Sequence, residues 1–75
     1  MTEHSVDARG LICPLPIIEL AKVAADAASG DLITVECTDA AARVDVPAWA
    51  RMTGNEFVGE TETDGGAFAL TVRLR

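Results

Sequence analysis

The sequence predicts an α/β fold: a two-layer sandwich in which a mixed four-stranded sheet carries two helices on one face, in the order β-α-β-α-β-β. Three observations point there. Glu19, Lys22 and Asp26 recur every three or four positions opposite Ile17, Leu20, Ala21, Ala24 and Ala28, the pattern of an amphipathic helix. Ile33, Val35 and Cys37 alternate with Thr34 and Glu36, the pattern of a half-buried strand. Asp64-Gly65-Gly66 marks a tight turn before another alternating run, so the chain closes on a hairpin.

Taken in order, the first strand is His4 to Ala8, with Val6 and Ala8 on one face, and Arg9-Gly10 lead out of it. The first helix covers Pro14 to Ser29, with Gly30 as its C-terminal cap. Leu32 to Cys37 is the second strand. Thr38-Asp39 starts a turn or a short helical piece through Ala40 to Arg43. Asp45-Val46-Pro47 reads as the start of the second helix, because proline suits a first turn, and that helix passes Trp49 and Met52 to stop at Gly54-Asn55. Glu56 to Thr63 is the third strand, weakened by Gly59, and Ala67 to Arg73 is the fourth. A strand-helix-strand opening implies parallel pairing through a right-handed crossover, while the hairpin makes the sheet mixed. Both helices on one face give two layers.

Composition narrows the function. A chain of 75 residues is one domain, residues 1–75, and 49% hydrophobic content builds a small core but no enclosed cofactor cavity. Chemistry is therefore expected at the surface. His4 is the only histidine and the cysteines are Cys13 and Cys37, too few ligands for a metal site made by the protein alone. Two cysteines at this length argue against a disulfide scaffold and for a reducing, cytoplasmic setting. The N-terminus lacks a signal-peptide pattern, and Glu19 and Lys22 interrupt the longest apolar stretch, which excludes a membrane span there. A net charge of −6 disfavours direct nucleic-acid binding.

The stretch Gly10-Leu11-Ile12-Cys13-Pro14-Leu15-Pro16 carries the chemistry. With Cys13 as N-cap, Pro14 and Pro16 fall in the first helical turn, where the missing N–H groups cost no helical hydrogen bond. They hold the cysteine at the helix start, and Gly10 permits the turn before it. The sulfur then meets the positive end of the helix dipole and free N–H groups such as that of Leu15, so a modest lowering of its pKa is expected. No histidine lies nearby to act as a base, which suits sulfur-to-sulfur exchange better than amide or ester hydrolysis. Cys37 shares a strand face with Ile33 and Val35 and is expected to be a core thiol, and Trp49 a core anchor.

Asp7-Ala8-Arg9-Gly10-Leu11-Ile12-Cys13-Pro14-Leu15-Pro16 resembles the signature of the TusA/SirA-like sulfur carriers, whose hallmark is Cys-Pro-x-Pro at the start of the first helix. Gly30, Thr38-Asp39, Asp45-Val46-Pro47 and Thr63-Asp64-Gly65 also fit. The resemblance covers nearly the whole chain. It implies a cytoplasmic relay protein rather than a conventional enzyme, monomeric and without cofactor, that carries sulfane sulfur as a persulfide on Cys13. The donor would be a cysteine desulfurase or a rhodanese-type protein. A downstream acceptor protein would serve tRNA thiolation, molybdenum cofactor assembly or sulfur oxidation. Leu15 and Ile18, on the exposed first turn, and Asp39 are candidate partner contacts, with capping the alternative role for Asp39. Two departures stand out: Asp39-Ala40, where the family often has Asp-Pro, and Leu15, where relatives commonly have a polar residue. The competing reading is a non-catalytic interaction or regulatory module of the same fold with a redox-sensitive Cys13.

Overall fold

Alternating apolar side chains fold this chain into one buried sheet face and one open one, in a computed structural model that describes Met1–Arg75. The elements are β1 (Glu3–Ala8), α1 (Leu15–Asp26), β2 (Leu32–Cys37), α2 (Ala42–Met52), β3 (Glu56–Glu62) and β4 (Phe68–Arg73), with a 3-10 turn at Asp64–Gly66. The sheet order is β1-β2-β4-β3. β1 runs parallel to β2, from Glu3 opposite Leu32 to Ala8 opposite Cys37. β4 is antiparallel to both β2 and β3, and a register shift between Phe57 and Gly59 interrupts the β3 ladder at the expected weak point. This is the mixed sheet and two-layer sandwich that the sequence predicts.

The central strands supply most of the core. Ile33, Val35 and Cys37 of β2 and Phe68, Leu70 and Val72 of β4 are buried, and Leu20 of α1 with Ala42, Val46 and Ala50 of α2 cover them. Full burial of each large aliphatic or aromatic side chain contributes about 1.5–3 kcal/mol. On the open face the residues between are polar or small, and Thr34 Oγ1 and Thr71 Oγ1 lie 3.0 Å apart across β2 and β4. No helix is long and apolar enough to cross a membrane.

The strands match expectation to within a residue, but the helix ends do not. α1 begins one residue later than expected, with Pro14 and not Cys13 as N-cap. The Pro14 carbonyl accepts the N–H groups of both Ile17 and Ile18 at 3.1 Å, while the Leu15 N–H turns back to Ile12 C=O at 3.0 Å. Pro16 still falls in the first turn, and its ring is buried. α1 stops at Asp26, not Ser29, because Asp31 captures the next stretch: its Oδ2 accepts the Ala28 N–H at 3.0 Å. The core side of α1 is accordingly Pro16, Ile17, Leu20, Val23 and Ala24, continued by Ala27 just past its end, with Ala21 and Ala28 exposed.

α2, by contrast, begins earlier than expected, joining the predicted short piece to the predicted helix. Asp39 starts it: its carbonyl accepts the Ala42 N–H and its carboxylate the Ala41 N–H, both at 3.0 Å. Pro47 thus lies inside the helix, where it withholds one hydrogen bond, rather than at its first turn. The end is as predicted. Gly54, at φ +76°, turns the chain so that the Asn55 N–H reaches Ala50 C=O at 2.8 Å.

Candidate functional site

Because Ala8 and Cys37 are register partners, the loops that follow β1 and β2 leave the same edge of the sheet, beside the starts of both helices. Gly10 makes the first loop possible. Its φ of +79° is one that a side chain rarely tolerates, and its N–H donates to Thr38 Oγ1 at 2.9 Å. The Leu11 N–H closes on Ala8 C=O at 3.1 Å. Asp39 then holds the cysteine itself. Its Oδ2 accepts the Cys13 N–H at 2.8 Å, while Oδ1 is occupied by Ala41. These two N–H groups, Cys13 first, lower the Asp39 pKa and keep the carboxylate charged. The Cys13–Pro14 peptide is cis.

The sulfur is half-buried, and its thiol donates to Asp45 Oδ2 on α2. That hydrogen bond, then burial and the charges of Asp45 and Asp39, raise the Cys13 pKa from 9.0 to about 11. The expected lowering is overturned, for a physical reason. The donors that would favour a thiolate are spent elsewhere: Leu15 N–H on Ile12, Ile17 and Ile18 N–H on Pro14, and the prolines have none. Two carboxylates stand in their place. The resting group is a thiol.

Exposed apolar residues flank Cys13 along the chain: Ile12 is 72% exposed, Leu15 46% and Ile18 43%. On the other side of Pro14 a shallow groove of about 310 Å³ runs between the helices, lined by Pro14, Ile17, Asp45, Ala48, Trp49 and Met52. Trp49 is half-buried, packed on the core with part of its ring facing this groove. Gly10, Cys13, Pro14, Leu15 and Asp39 therefore form one site, with Pro16 rooting it in the core and Ile18 on the exposed face of the next turn. Cys37 is the core thiol expected: it is fully buried, its Sγ donates to Val35 C=O at 3.8 Å, and burial raises its pKa. Both cysteines are free. No three His, Cys, Asp or Glu side chains gather to hold a metal ion.

Sequence reasoning missed Asp45 as a site residue. It assigned that carboxylate to a helix start, and no local signal reports that packing of α2 beside α1 brings it to the sulfur.

A family model described as Sulfurtransferase TusA matches residues 4–74. A putative sulfur carrier protein of Neisseria meningitidis serogroup A, NMA0882, is 40% identical over 73 residues, 97% of either chain. The sulfur carrier protein TusA of Allochromatium vinosum is 37% identical over 71 residues, covering 95% of this chain and 92% of that one. The putative sulfur carrier protein YrkF of Bacillus subtilis is 40% identical over 60 residues, but the match spans only 32% of its length. The crystal structure of a SirA-like protein from Desulfitobacterium hafniense superposes with a TM-score of 0.83 at 27% identity, covering 93% of this chain and 95% of that one.

Proposed function

We propose that this chain, which belongs to the TusA/SirA-like family, is a sulfur carrier that holds sulfane sulfur as a persulfide on Cys13. The observation that carries the reading is the Cys13 thiol itself: it is partly exposed, fixed through its backbone by Asp39, and flanked along the chain by the exposed apolar residues Ile12, Leu15 and Ile18. Exposed apolar residues flanking a reactive atom suit protein partners, which must bring one sulfur against another with water excluded. Leu15 and Ile18 contact the donor and acceptor in this proposal, and Asp39 positions the cysteine.

The donor is a cysteine desulfurase or a rhodanese-type protein, and the acceptor a protein thiol serving tRNA thiolation, molybdenum cofactor assembly or sulfur oxidation. A net charge of −6 argues for handing sulfur to proteins rather than touching RNA directly. A resting thiol also suits a carrier. Exchange requires a thiolate, so the free protein is protected from stray oxidants and reacts where a partner completes the site.

The test is to incubate the protein with a cysteine desulfurase and cysteine and to weigh it intact. A gain of one sulfur atom, removed by dithiothreitol and absent in Cys13→Ser, is expected. If wild type gains nothing from several sulfur donors, the chain is an interaction module with a redox-sensitive thiol instead.

A further inference from the structure

We infer that Asp45 is the proton-transfer partner of Cys13, taking the thiol proton as sulfur is loaded and giving a proton to the Cys13 sulfur as sulfur is handed on. The inference rests on the persulfide reading above and adds to it a residue outside the Cys-Pro-x-Pro segment. The geometry is specific. The Cys13 thiol donates to Asp45 Oδ2, and Asp45 makes no other side-chain hydrogen bond or ion pair. The one other carboxylate beside the cysteine, Asp39, has both oxygens occupied by the N–H groups of Cys13 and Ala41. The groups bearing on the sulfur are Asp45 from α2, Asp39 from the loop after β2 and Cys37 from β2, and none of them is a cation. The chain's single histidine is bound to Asp31 through His4 Nε2 at 2.9 Å. Asp45 is therefore the group placed to move this proton.

The step balances without an added oxidant. On loading, the Cys13 proton passes to Asp45 and the thiolate attacks the outer sulfur of a donor persulfide. A new bond forms from Cys13 Sγ to that sulfur, the donor's S–S bond breaks, and its electron pair leaves on the inner sulfur. Asp45 returns the proton to that departing thiolate. The sum is Cys13–SH plus R–S–SH giving Cys13–S–SH plus R–SH. On unloading, Asp45 takes the proton of the acceptor thiol, the resulting thiolate attacks the outer sulfur, Cys13 Sγ is the leaving group, and Asp45 passes that proton to it, so that R′–SH plus Cys13–S–SH gives R′–S–SH plus Cys13–SH. A carboxylate that is base in one direction must be acid in the other, and such proton transfer is worth roughly 100-fold or more in rate. The raised thiol pKa agrees with this arrangement: Asp45 makes Cys13 a poor nucleophile at rest, and the same contact lets it leave as a thiol.

The test uses Asp45→Asn, which keeps the shape but cannot take the proton, and Asp45→Glu, which can, with Trp49 fluorescence reporting the fold. Two readouts are followed. The first is the pH dependence of Cys13 alkylation by iodoacetamide, which does not depend on sulfur carriage. In wild type its midpoint is expected near 11, and in Asp45→Asn it should fall toward the ordinary 9.0, raising alkylation at neutral pH by at least about tenfold. The second is the rate at which protein loaded with inorganic polysulfide hands its sulfur to glutathione. Asp45→Asn should slow this by roughly 100-fold and Asp45→Glu should recover part of the loss. An unchanged alkylation midpoint, or a hand-off as fast as wild type, overturns the role of Asp45. If wild type takes up no sulfur from polysulfide, the carrier reading fails and the transfer role falls with it, while the alkylation profile still shows whether Asp45 holds the proton.

Discussion

The two ends of the β1–β2 pair are each organised by an aspartate that gathers backbone N–H groups, yet one end is closed and the other holds a partly exposed thiol. At the start of the strands, Asp31 is buried. Its carboxylate accepts Thr2 N–H and Ala28 N–H at 3.0 Å each and meets His4 Nε2 at 2.9 Å. At the far end, Asp39 accepts Cys13 N–H and Ala41 N–H, and beside it Asp45 meets a thiol. The difference lies in the third partner. The imidazole beside Asp31 lowers the acid's pKa to about 2, so the carboxylate stays charged and holds the N-terminal segment down. The thiol beside Asp45 is the reacting group of the proposed carrier, and the hydrogen bond and negative charge there raise its pKa. The same backbone device makes an anchor in one place and positions a partly exposed thiol in the other.

Removing the floor under both ends should have the largest effect. Leu20 is fully buried in α1, and Leu20→Ala is expected to cost about 2–5 kcal/mol of unfolding free energy, read by urea denaturation. Loss of sulfur uptake in that variant should track the unfolded fraction alone. Asp31→Asn should come next, lowering the urea midpoint at neutral pH while folded protein still takes up sulfur. Because the folded-state pKa of Asp31 lies below the ordinary 3.8, its stabilisation is present above 3.8 and is lost as pH falls toward about 2. Wild type and Asp31→Asn should therefore converge over that window. A gap that persists at pH 2 would mean that the asparagine disturbs packing, not charge.

Asp39→Asn should have the smallest effect on stability. One amide oxygen replaces two carboxylate oxygens, so either Cys13 or Ala41 loses its acceptor. Faster hydrogen exchange at the Cys13 amide and slower sulfur uptake are expected, with little change in the urea midpoint. A stability loss equal to that of Asp31→Asn would erase the contrast between the two ends.

Strand positions were legible because burial of one sheet face imposes a period of two, and Ile33-Val35-Cys37 and Phe68-Leu70-Val72 carry it without ambiguity. Helix ends were less so, since nearby aspartate acceptors outside the apolar pattern decided them. Asp31 cut α1 short and Asp39 started α2 early, each by hydrogen bonds to backbone N–H groups two or three residues before or after it. Pro47 obeyed the rule for a first turn in sequence, but tertiary anchoring placed a turn of helix ahead of it. Within the site, Cys13, its prolines and Gly10 could be read locally. The protonation state of the sulfur could not, because it depends on Asp45, brought in by packing between two helices.

The most direct test of the central claim is to locate the added sulfur. Wild type, Cys13→Ser and Cys37→Ala are each incubated with cysteine desulfurase and cysteine, trapped by alkylation, and analysed as peptides. Wild type and folded Cys37→Ala should carry one extra sulfur on the Cys13 peptide, and Cys13→Ser none. Equal labelling of Cys13→Ser and wild type would contradict the account and move the carrier role to Cys37.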